Sequence, residues 1–278
     1  MKKEESLQFD SYNIQLKKSI KSQTTIFIIL AIIIVVGIIL FFTLKSSSDK
    51  ENKGREYFEK QGLTPSINNI QEFIIECHKN MAKEGLIKIG IQGGYYNKPL
   101  NYYDMDWAFI PYYYDKGAIN HPSKEKIESE LSDYMNSNLE ICIQKINFKN
   151  FEIKYEPSST MTKIEPSETT FITNLPLLIE HKENKINFNL EDHPLSINSS
   201  LYDIIKLSYY ITDSHKENSE LMCINCITEI AKEKKLYVDF ISFEKDTTLV
   251  MILENRTMEH PYIFEFLNKY EAKKSVKL

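Results

Sequence analysis

Glycine is scarce in this chain, with 8 glycines among 278 residues, well below the usual share. Loops that cradle phosphate groups need glycines at fixed spacing. Gly90, Gly93 and Gly94 form neither a G-x-G-x-x-G pattern nor a loop followed by Lys and Ser or Thr. Nucleotide binding therefore finds no support here, and no internal repeat at the period of solenoid proteins is present.

The chain also lacks a basic stripe. Its net charge is −5, and because the first 44 residues hold five lysines and three acids, for a net charge of +2, the remainder has a net charge of −7. A mildly acidic domain argues against nucleic acid as a partner and against flat adsorption to anionic lipid.

One long apolar run stands out, because the 23 residues from Ser22 to Leu44 include no charge. At ~1.5 Å per residue they span about 34 Å, enough for a hydrocarbon core of about 30 Å. A cleaved secretory signal is the alternative, but its apolar core runs only ~7–15 residues. The run predicts a transmembrane helix at 22–44, with the lipid bilayer as partner and the cell membrane as location.

Charge does not orient this helix, since three lysines precede it and three follow it closely. A short N-terminal tail and a large downstream domain favour an N-terminus inside the cell. Four cysteines and two N-x-S/T sequons, at Asn198 and Asn255, agree with that orientation, because disulfides and glycans occur on exported domains. We therefore expect the C-terminal domain to be extracellular.

The sequence as a whole predicts an α+β fold, in which one transmembrane helix is followed by a domain of mixed helices and antiparallel sheet. Apolar residues spaced three and four apart predict a helix from about Pro65, with Gly85 as its stop. Alternation of apolar and polar residues predicts a strand at 86–91. Gly93 and Gly94 predict a turn, and another strand is predicted at 107–114. A second helix is expected to begin at Ser123, which follows Pro122.

Beyond residue 147 the pattern changes to short alternating runs, which predict three or four antiparallel strands up to 195. Helices are expected from Ser199 or Ser200 and at 219–235, and a hairpin from 237–243 and 248–253. The predicted organisation is a short cytoplasmic tail (1–21), the transmembrane helix (22–44), a tether (45–63), a helix-strand-helix subdomain with an aromatic segment (64–146), antiparallel strands plus two helices (147–272) and a disordered tail (273–278).

Cys77 and Cys142 each fall on the apolar face of a predicted helix. Packing those helices together would bring the two sulfurs close, and on the exported side of a membrane such a pair oxidises. Two buried free thiols are the alternative for a domain that faces inward.

Cys223 and Cys226 form a C-x-x-C motif that predicts a local disulfide or a thiol-exchange pair. A redox motif of the thioredoxin type follows a strand and opens a helix, whereas this motif is predicted to lie one turn inside a helix. Zinc would need two further ligands, and the nearby His193 and His215 lack a recognisable spacing. Packing or a structural disulfide ranks first, redox exchange second and metal binding third.

An aromatic run between residues 95 and 114 is a candidate contact surface, because tyrosine offers flat, amphipathic area with few rotamers to fix. A sheet face packed on helices would give the same pattern. The candidate residues are Tyr95, Tyr96, Tyr102, Tyr103, Trp107, Tyr112, Tyr113 and Tyr114.

Two short patterns suggest chemistry but have simpler explanations. Ser123 and Lys126 have the S-x-x-K spacing of serine acyl-enzymes, yet a serine after proline is an ordinary helix N-cap and no K-T-G follows. Asp104 and Asp106 have a D-x-D spacing that suits a divalent cation, but such tripeptides are common in polar loops. No catalytic residue, cofactor site or metal site is predicted.

The stretch Lys21-Ser-Gln-Thr-Thr-Ile-Phe-Ile-Ile-Leu resembles the processing site and hydrophobic helix of archaeal type IV prepilins. That resemblance implies cleavage between Ser22 and Gln23. Four further segments resemble a family of uncharacterised membrane proteins in small-genome archaea: Phe73-Ile-Ile-Glu-Cys77, Glu84 to Tyr95, Ile110 to Gly117 and Pro122 to Leu131. The resemblance extends over about residues 20 to 145 and is looser in the C-terminal half. This second resemblance implies a compartment and an architecture, and no reaction.

The sequence thus favours a membrane-anchored extracytoplasmic protein of binding, adhesion or surface-assembly type, and the resemblance to prepilins implies a pilin-like version of it. Its expected partners are a protein or glycan at the cell surface or further copies of the chain. A membrane-tethered thiol-disulfide exchange enzyme that uses Cys223 and Cys226 is the alternative.

Overall fold

The structure is a computed structural model that describes residues 67–144, 151–182, 184–217, 223–254 and 262–271. All of these residues belong to one compact unit, residues 65–278. In chain order, its elements are α1 (Ile67–Ile91), β1 (Tyr102–Asp104), β2 (Phe109–Asp115), β3 (Ala118–Ile119), α2 (Lys124–Gln144), β4 (Glu152–Tyr155), β5 (Ser159–Glu165), β6 (Glu168–Asn174), β7 (Pro176–His181), β8 (Asn184–Asn189), a 3-10 turn (Leu190–Asp192), β9 (Leu195–Asn198), α3 (Leu201–Glu217), α4 (Ile224–Glu233), β10 (Leu236–Glu244), β11 (Thr247–Glu254) and β12 (Ile263–Lys269).

The main sheet has the strand order β1-β2-β12-β11-β10, with β3 also paired to β2. Its pairs are antiparallel except for β12 with β2, which run parallel. Two smaller antiparallel sheets have the orders β4-β7-β8 and β5-β6-β9. Helices and strands are therefore mixed as the α+β prediction expects.

One face of the main sheet carries the principal core. Phe109, Tyr113, Val250 and Phe266 alternate along their strands with residues of the opposite face, and they pack against residues from all four helices. A second core joins the first half of α1 and the last turns of α2 to the β4-β7-β8 sheet, and it contains Cys77 and Cys142. These two cores hold α1 and α2 together along their length.

The predicted fold class must be corrected in one respect, the transmembrane helix. Among the helices of the described residues, none is long and apolar enough to cross a membrane. Helix α1, the longest of these described helices, has sufficient length. It carries charged side chains that are costly in hydrocarbon, among them Glu72, Glu76, Lys83 and Lys88. The fold class shown is the α+β mixture alone. The predicted segments at 1–21, 22–44, 45–63 and 273–278 lie outside the described residues.

The predicted strand at 86–91 is wrong, because α1 continues without interruption to Ile91. Ala82, Leu86 and Ile89 keep the helical spacing and are buried in the principal core. Gly85 does not stop the helix. A Cβ atom there would lie 2.7 Å from Cδ1 of Tyr134, so the glycine lets α1 and the Tyr134 ring of α2 approach closely.

Further along the chain, agreement with the prediction is mixed. Ser123 is the N-cap of α2 as predicted, since its Oγ accepts a hydrogen bond from the backbone N–H of Lys126 at 3.2 Å. The predicted hairpin is confirmed as β10 and β11. Between 147 and 195 the structure has five complete strands and the start of a sixth, β9, instead of three or four, and β12 was not predicted.

Candidate functional site

The aromatic segment does not form one continuous platform. Tyr95, Tyr113 and Tyr114 are buried, whereas Trp107 is 48% exposed. The remaining four tyrosines, Tyr96, Tyr102, Tyr103 and Tyr112, are partly buried. Tyr113 is fixed in the core, where its hydroxyl donates to the carbonyl of Gly93 at 2.9 Å and its ring stacks on Phe266. Most of the predicted contact area is therefore structural.

What the aromatic segment leaves at the surface is a groove beside β2. Strand β1 pairs with β2 only from Phe109 to Pro111, and β3 pairs only with Tyr114 and Asp115. The groove lies at the gap between these two short strands. It has a volume of about 290 Å³ and is lined by Tyr95, Pro99, Leu100, Asn101, Pro111, Tyr112 and Asn120.

One wall of the groove is the loop that follows α1, and Glu130 of α2 holds this loop in place. Its Oε2 accepts hydrogen bonds from the backbone N–H groups of Tyr96 at 2.9 Å and Asn97 at 2.7 Å, and from Nδ2 of Asn97 at 3.1 Å. Its Oε1 lies 2.7 Å from Nζ of Lys126. Because Glu130 is only 1% exposed, the carboxylate forms a rigid base under the loop.

The groove is mostly apolar, but it contains one buried donor without a partner. Nδ2 of Asn120 is buried, and no described residue accepts a hydrogen bond from it. The Tyr95 hydroxyl is already used, since it donates to the Asn120 carbonyl at 3.3 Å. Burial and the nearby Glu130 raise the pKa of Tyr95 to about 12, so this phenol stays neutral. A buried donor left unpaired costs about 1–3 kcal/mol in the free protein, and a rotation of the Asn120 side chain towards the groove would let an acceptor on a ligand recover it.

The D-x-D pair forms part of the same loop region. Oδ2 of Asp104 lies 2.7 Å from Nζ of Lys98, and Oδ1 accepts a hydrogen bond from the backbone N–H of Asp106 at 3.0 Å. The hydrogen bond from Lys98 lowers the pKa of Asp104. Across the described ranges, no group of three or more His, Cys, Asp or Glu side chains is arranged to hold a metal ion. Asp104 serves to close its own turn.

Both predicted cysteine pairs are joined by disulfides. Cys77 of α1 is bonded to Cys142 of α2, with their Cα atoms 6.1 Å apart, and both residues are buried. Cys223 is bonded to Cys226, with their Cα atoms 5.2 Å apart. The motif does not lie one turn inside a helix as predicted, because α4 begins at Ile224 and Cys223 is its N-cap.

The remaining predicted sites are dispersed. Lys126 pairs with Glu130 and is not held beside the Ser123 hydroxyl as a serine acyl-enzyme requires. Asn198 is exposed at the end of β9, where a glycan has room. Asn255 and the possible cleavage site at Ser22 and Gln23 lie outside the described residues.

A second concavity, of about 430 Å³, lies on the β4-β7-β8 sheet. Its lining mixes Lys154, Glu156 and Asp192 with Tyr155 and Phe188. Within the part of the chain that the structure describes, none of its lining residues contains a buried polar atom that lacks a partner. The groove beside β2 differs from it in containing the unpartnered Nδ2 of Asn120.

Sequence reasoning missed three residues that define the groove: Leu100, Asn120 and Glu130. Leu100 is fully exposed, and Glu130 is a buried acid on an otherwise ordinary helix. A leucine between a proline and an asparagine in a loop was the only available signal. Comparison with known proteins gave no match to this chain among protein families, curated proteins or solved structures.

Proposed function

We propose that this protein is an extracytoplasmic binding protein that holds a partner in the groove beside β2. The observation that carries the proposal is the unpartnered Nδ2 of Asn120 in a groove whose lining is mostly apolar. Binding sites commonly combine an apolar lining with a few fixed polar groups. The two disulfides support the location, because such bonds persist in oxidising compartments.

The composition of the groove favours a protein partner over a glycan. Pro99, Pro111, Leu100 and the Tyr112 ring supply apolar and aromatic contacts. The polar side-chain groups that remain available are few: two amides and the Tyr112 hydroxyl. A sugar presents many hydroxyl groups and needs several matching donors and acceptors. An extended peptide needs fewer, because one backbone carbonyl can accept from Asn120 while an apolar side chain fills the groove.

The size of the groove sets the scale of this contact. About 290 Å³ lies just below the usual range for small-molecule pockets, ~300–1,000 Å³, so the groove suits one or two side chains. Fully exposed Leu100 at its rim adds apolar area that only a bound partner would cover. We infer a short apolar stretch of an extended chain, with proline or aliphatic residues, as the preferred occupant.

A random-peptide display library and a glycan array, each probed with the purified protein, test this proposal. Asn120→Leu removes the unpartnered donor, so peptide binding should fall about fivefold to tenfold, as expected for one lost hydrogen bond of ~1 kcal/mol. The free protein should keep or gain stability, because Nδ2 of Asn120 makes no hydrogen bond there. Leu100→Asp should weaken binding further, since it places a charge at the apolar rim.

Met161→Asp is the matched control, because Met161 is also an exposed apolar residue but lies on β5. It should leave peptide binding unchanged. If no peptide depends on Asn120 and Leu100, the groove is not the contact site. If glycans bind and peptides do not, the proposed partner class is wrong. Protease digestion of whole cells tests the location, and a protected domain would contradict it.

A further inference from the structure

The second disulfide lies at the start of a helix. Helix α4 runs from Ile224 to Glu233, and Cys223 is its N-cap. The C-x-x-C motif therefore opens the helix, with Cys226 in its first turn. This is the position at which a helix stabilises a thiolate, because backbone N–H groups and the positive end of the helix dipole point towards the first sulfur.

The hydrogen bonding at Cys223 agrees with this placement. The backbone N–H of Cys226 donates to Sγ of Cys223 at 3.2 Å. The first turn of α4 includes no acidic residue that would neutralise the positive end of the helix. After reduction, the same N–H would donate to a Cys223 thiolate, and a thiolate at a helix N-terminus has a pKa below the ordinary value of ~8.5.

The two disulfides differ in access to solvent. Cys77 and Cys142 are 3% and 5% exposed within the second core, where they tie α1 to α2. Cys223 is exposed, Cys226 is partly exposed, and Ile224 between them is 55% exposed. A thiolate from another protein can therefore reach Sγ of Cys223, and Ile224 offers an apolar contact beside it. The Cys77–Cys142 bond is protected from such an attack.

We propose that Cys223 and Cys226 form an exchangeable disulfide that oxidises a pair of thiols on a protein substrate. A substrate thiolate attacks Sγ of Cys223, the Cys223–Cys226 bond breaks, and Cys226 leaves as a thiolate. The second substrate thiolate then attacks the substrate sulfur of the mixed disulfide, and Cys223 leaves as a thiolate. The substrate loses two electrons and two protons and gains a disulfide, while Cys223 and Cys226 gain the two electrons.

The direction of transfer follows from the helix. Stabilising the reduced form of a pair makes its disulfide a stronger oxidant. The N-cap stabilises the Cys223 thiolate and not the disulfide, so electrons should pass from an ordinary protein dithiol to this pair. This activity is independent of the groove beside β2, and either one can fail without the other.

Equilibration of the full chain in glutathione redox buffers, followed by alkylation and mass mapping, tests the proposal. The Cys77–Cys142 bond is the internal control. We expect the Cys223–Cys226 bond to be half reduced at a reduced-to-oxidised glutathione ratio at least 100-fold lower than the control requires. If the two bonds are reduced together, or Cys223–Cys226 resists longer, the proposal is overturned.

Trapping of a mixed disulfide distinguishes a cysteine pair that exchanges with a substrate from one that is only exposed to solvent. Cys226→Ser removes the thiol that can displace a bound substrate from Cys223. A peptide with a single thiol, which cannot resolve the mixed disulfide itself, should therefore accumulate as an adduct on Cys223 when glutathione disulfide is the oxidant. Cys223→Ser should trap at least tenfold less adduct on Cys226. Alkylation of Cys223 by iodoacetamide across pH should show a midpoint below ~8.5. Equal trapping by the two variants, or an ordinary midpoint, would reject the proposed roles.

Discussion

Glu130 and Asn97 lie on different elements, and the Oε2 of Glu130 accepts from the backbone N–H of Asn97 at 2.7 Å. The same oxygen accepts from the N–H of Tyr96 and from Nδ2 of Asn97. One buried carboxylate thus satisfies three donors of the loop that forms a wall of the groove. The conformation of this loop, and therefore the shape of the groove, depends on Glu130, although Glu130 does not itself line the groove.

Glu130→Gln should test this dependence. The amide cannot accept as strongly as a carboxylate, and it leaves Lys126 without its charged partner. We expect the free energy of unfolding to fall by about 2–3 kcal/mol, and amide exchange at residues 95–101 to accelerate. Urea denaturation and hydrogen exchange measure these effects. Glu229→Gln, at an exposed position of α4, is the control and should change stability by less than about 0.5 kcal/mol.

Gly94 and Gly117 illustrate two different reasons why a position requires glycine: a positive φ and a close contact. Both have positive φ, 83° and 97°, but a Cβ at Gly94 would lie 2.8 Å from Cγ1 of Ile127, whereas nothing lies within 4 Å at Gly117. Gly117→Ala should cost about 1 kcal/mol for backbone strain alone. Gly94→Ala should cost about 3 kcal/mol, because overpacking adds to the strain. Equal losses in urea denaturation would show that the contact with Ile127 carries no energy.

Local signals predicted those parts of the fold that local chemistry decides. Ser123 caps its helix because a hydroxyl next to free N–H groups is enough, and the β10-β11 hairpin follows from alternation on both sides of a short turn. Gly85 was wrongly predicted to end the helix, because its role depends on a tertiary contact. It admits the ring of Tyr134, a contact that no window of sequence around residue 85 contains.

The candidate site was harder to predict for the same reason. The aromatic run pointed to the right segment, but which rings face outward depends on β1 and β3 covering only the two ends of β2. Asn120 becomes a candidate only because its Nδ2 is buried without a partner. The C-x-x-C motif was identified by its spacing. Its place at the helix start was not, because the predicted helix began too early.

The two disulfides should contribute unequally to stability. In the chain-entropy view, a bond between residues 65 apart in sequence contributes about 4 kcal/mol, and one between residues three apart contributes about 2 kcal/mol or less. The double variant Cys77→Ala/Cys142→Ala should therefore lose more stability than Cys223→Ala/Cys226→Ala. Denaturant unfolding of both checks this. A larger loss at the second pair would mean that it has a structural role.

His78 makes the fold sensitive to acid. It is buried on α1, its Nε2 lies 2.9 Å from Oγ1 of Thr173, and burial lowers its pKa to about 4. The unfolded chain binds a proton near pH 6.5 and the folded chain does not, so stability is lost as the pH falls from 6.5 towards 4. The loss should reach about 2 kcal/mol at pH 5.

His78→Gln is the variant that isolates this effect, because its amide can keep a hydrogen bond to Thr173 but does not titrate. Urea denaturation at pH 5 and pH 7 should show a smaller loss for the variant than for the natural chain. Burial also lowers the pKa of His215, so some acid sensitivity should remain. An unchanged loss would rule out His78 as a contributor.

Glu265 should have the opposite effect to His78, because it should make the stability fall as the pH rises. It lies on β12 between Phe264 and Phe266, so its side chain is on the sheet face that carries Ile110 and Leu249, and burial raises its pKa to about 8. The folded state favours the protonated carboxyl, whereas the unfolded chain ionises near pH 4.3. The contribution of Glu265 is therefore fully present below pH 4.3 and is lost as the pH rises towards 8.

Glu265→Gln imitates the protonated carboxyl at every pH. The variant should be at least about 1 kcal/mol more stable than the natural chain at pH 8, and the difference should disappear near pH 4.3. Glu244→Gln, at an exposed position on β10, should show no such crossover. Paired urea denaturations at the two pH values decide the matter. A Glu265 variant that is less stable at pH 8 would mean that the carboxylate is held by a favourable interaction in the folded protein.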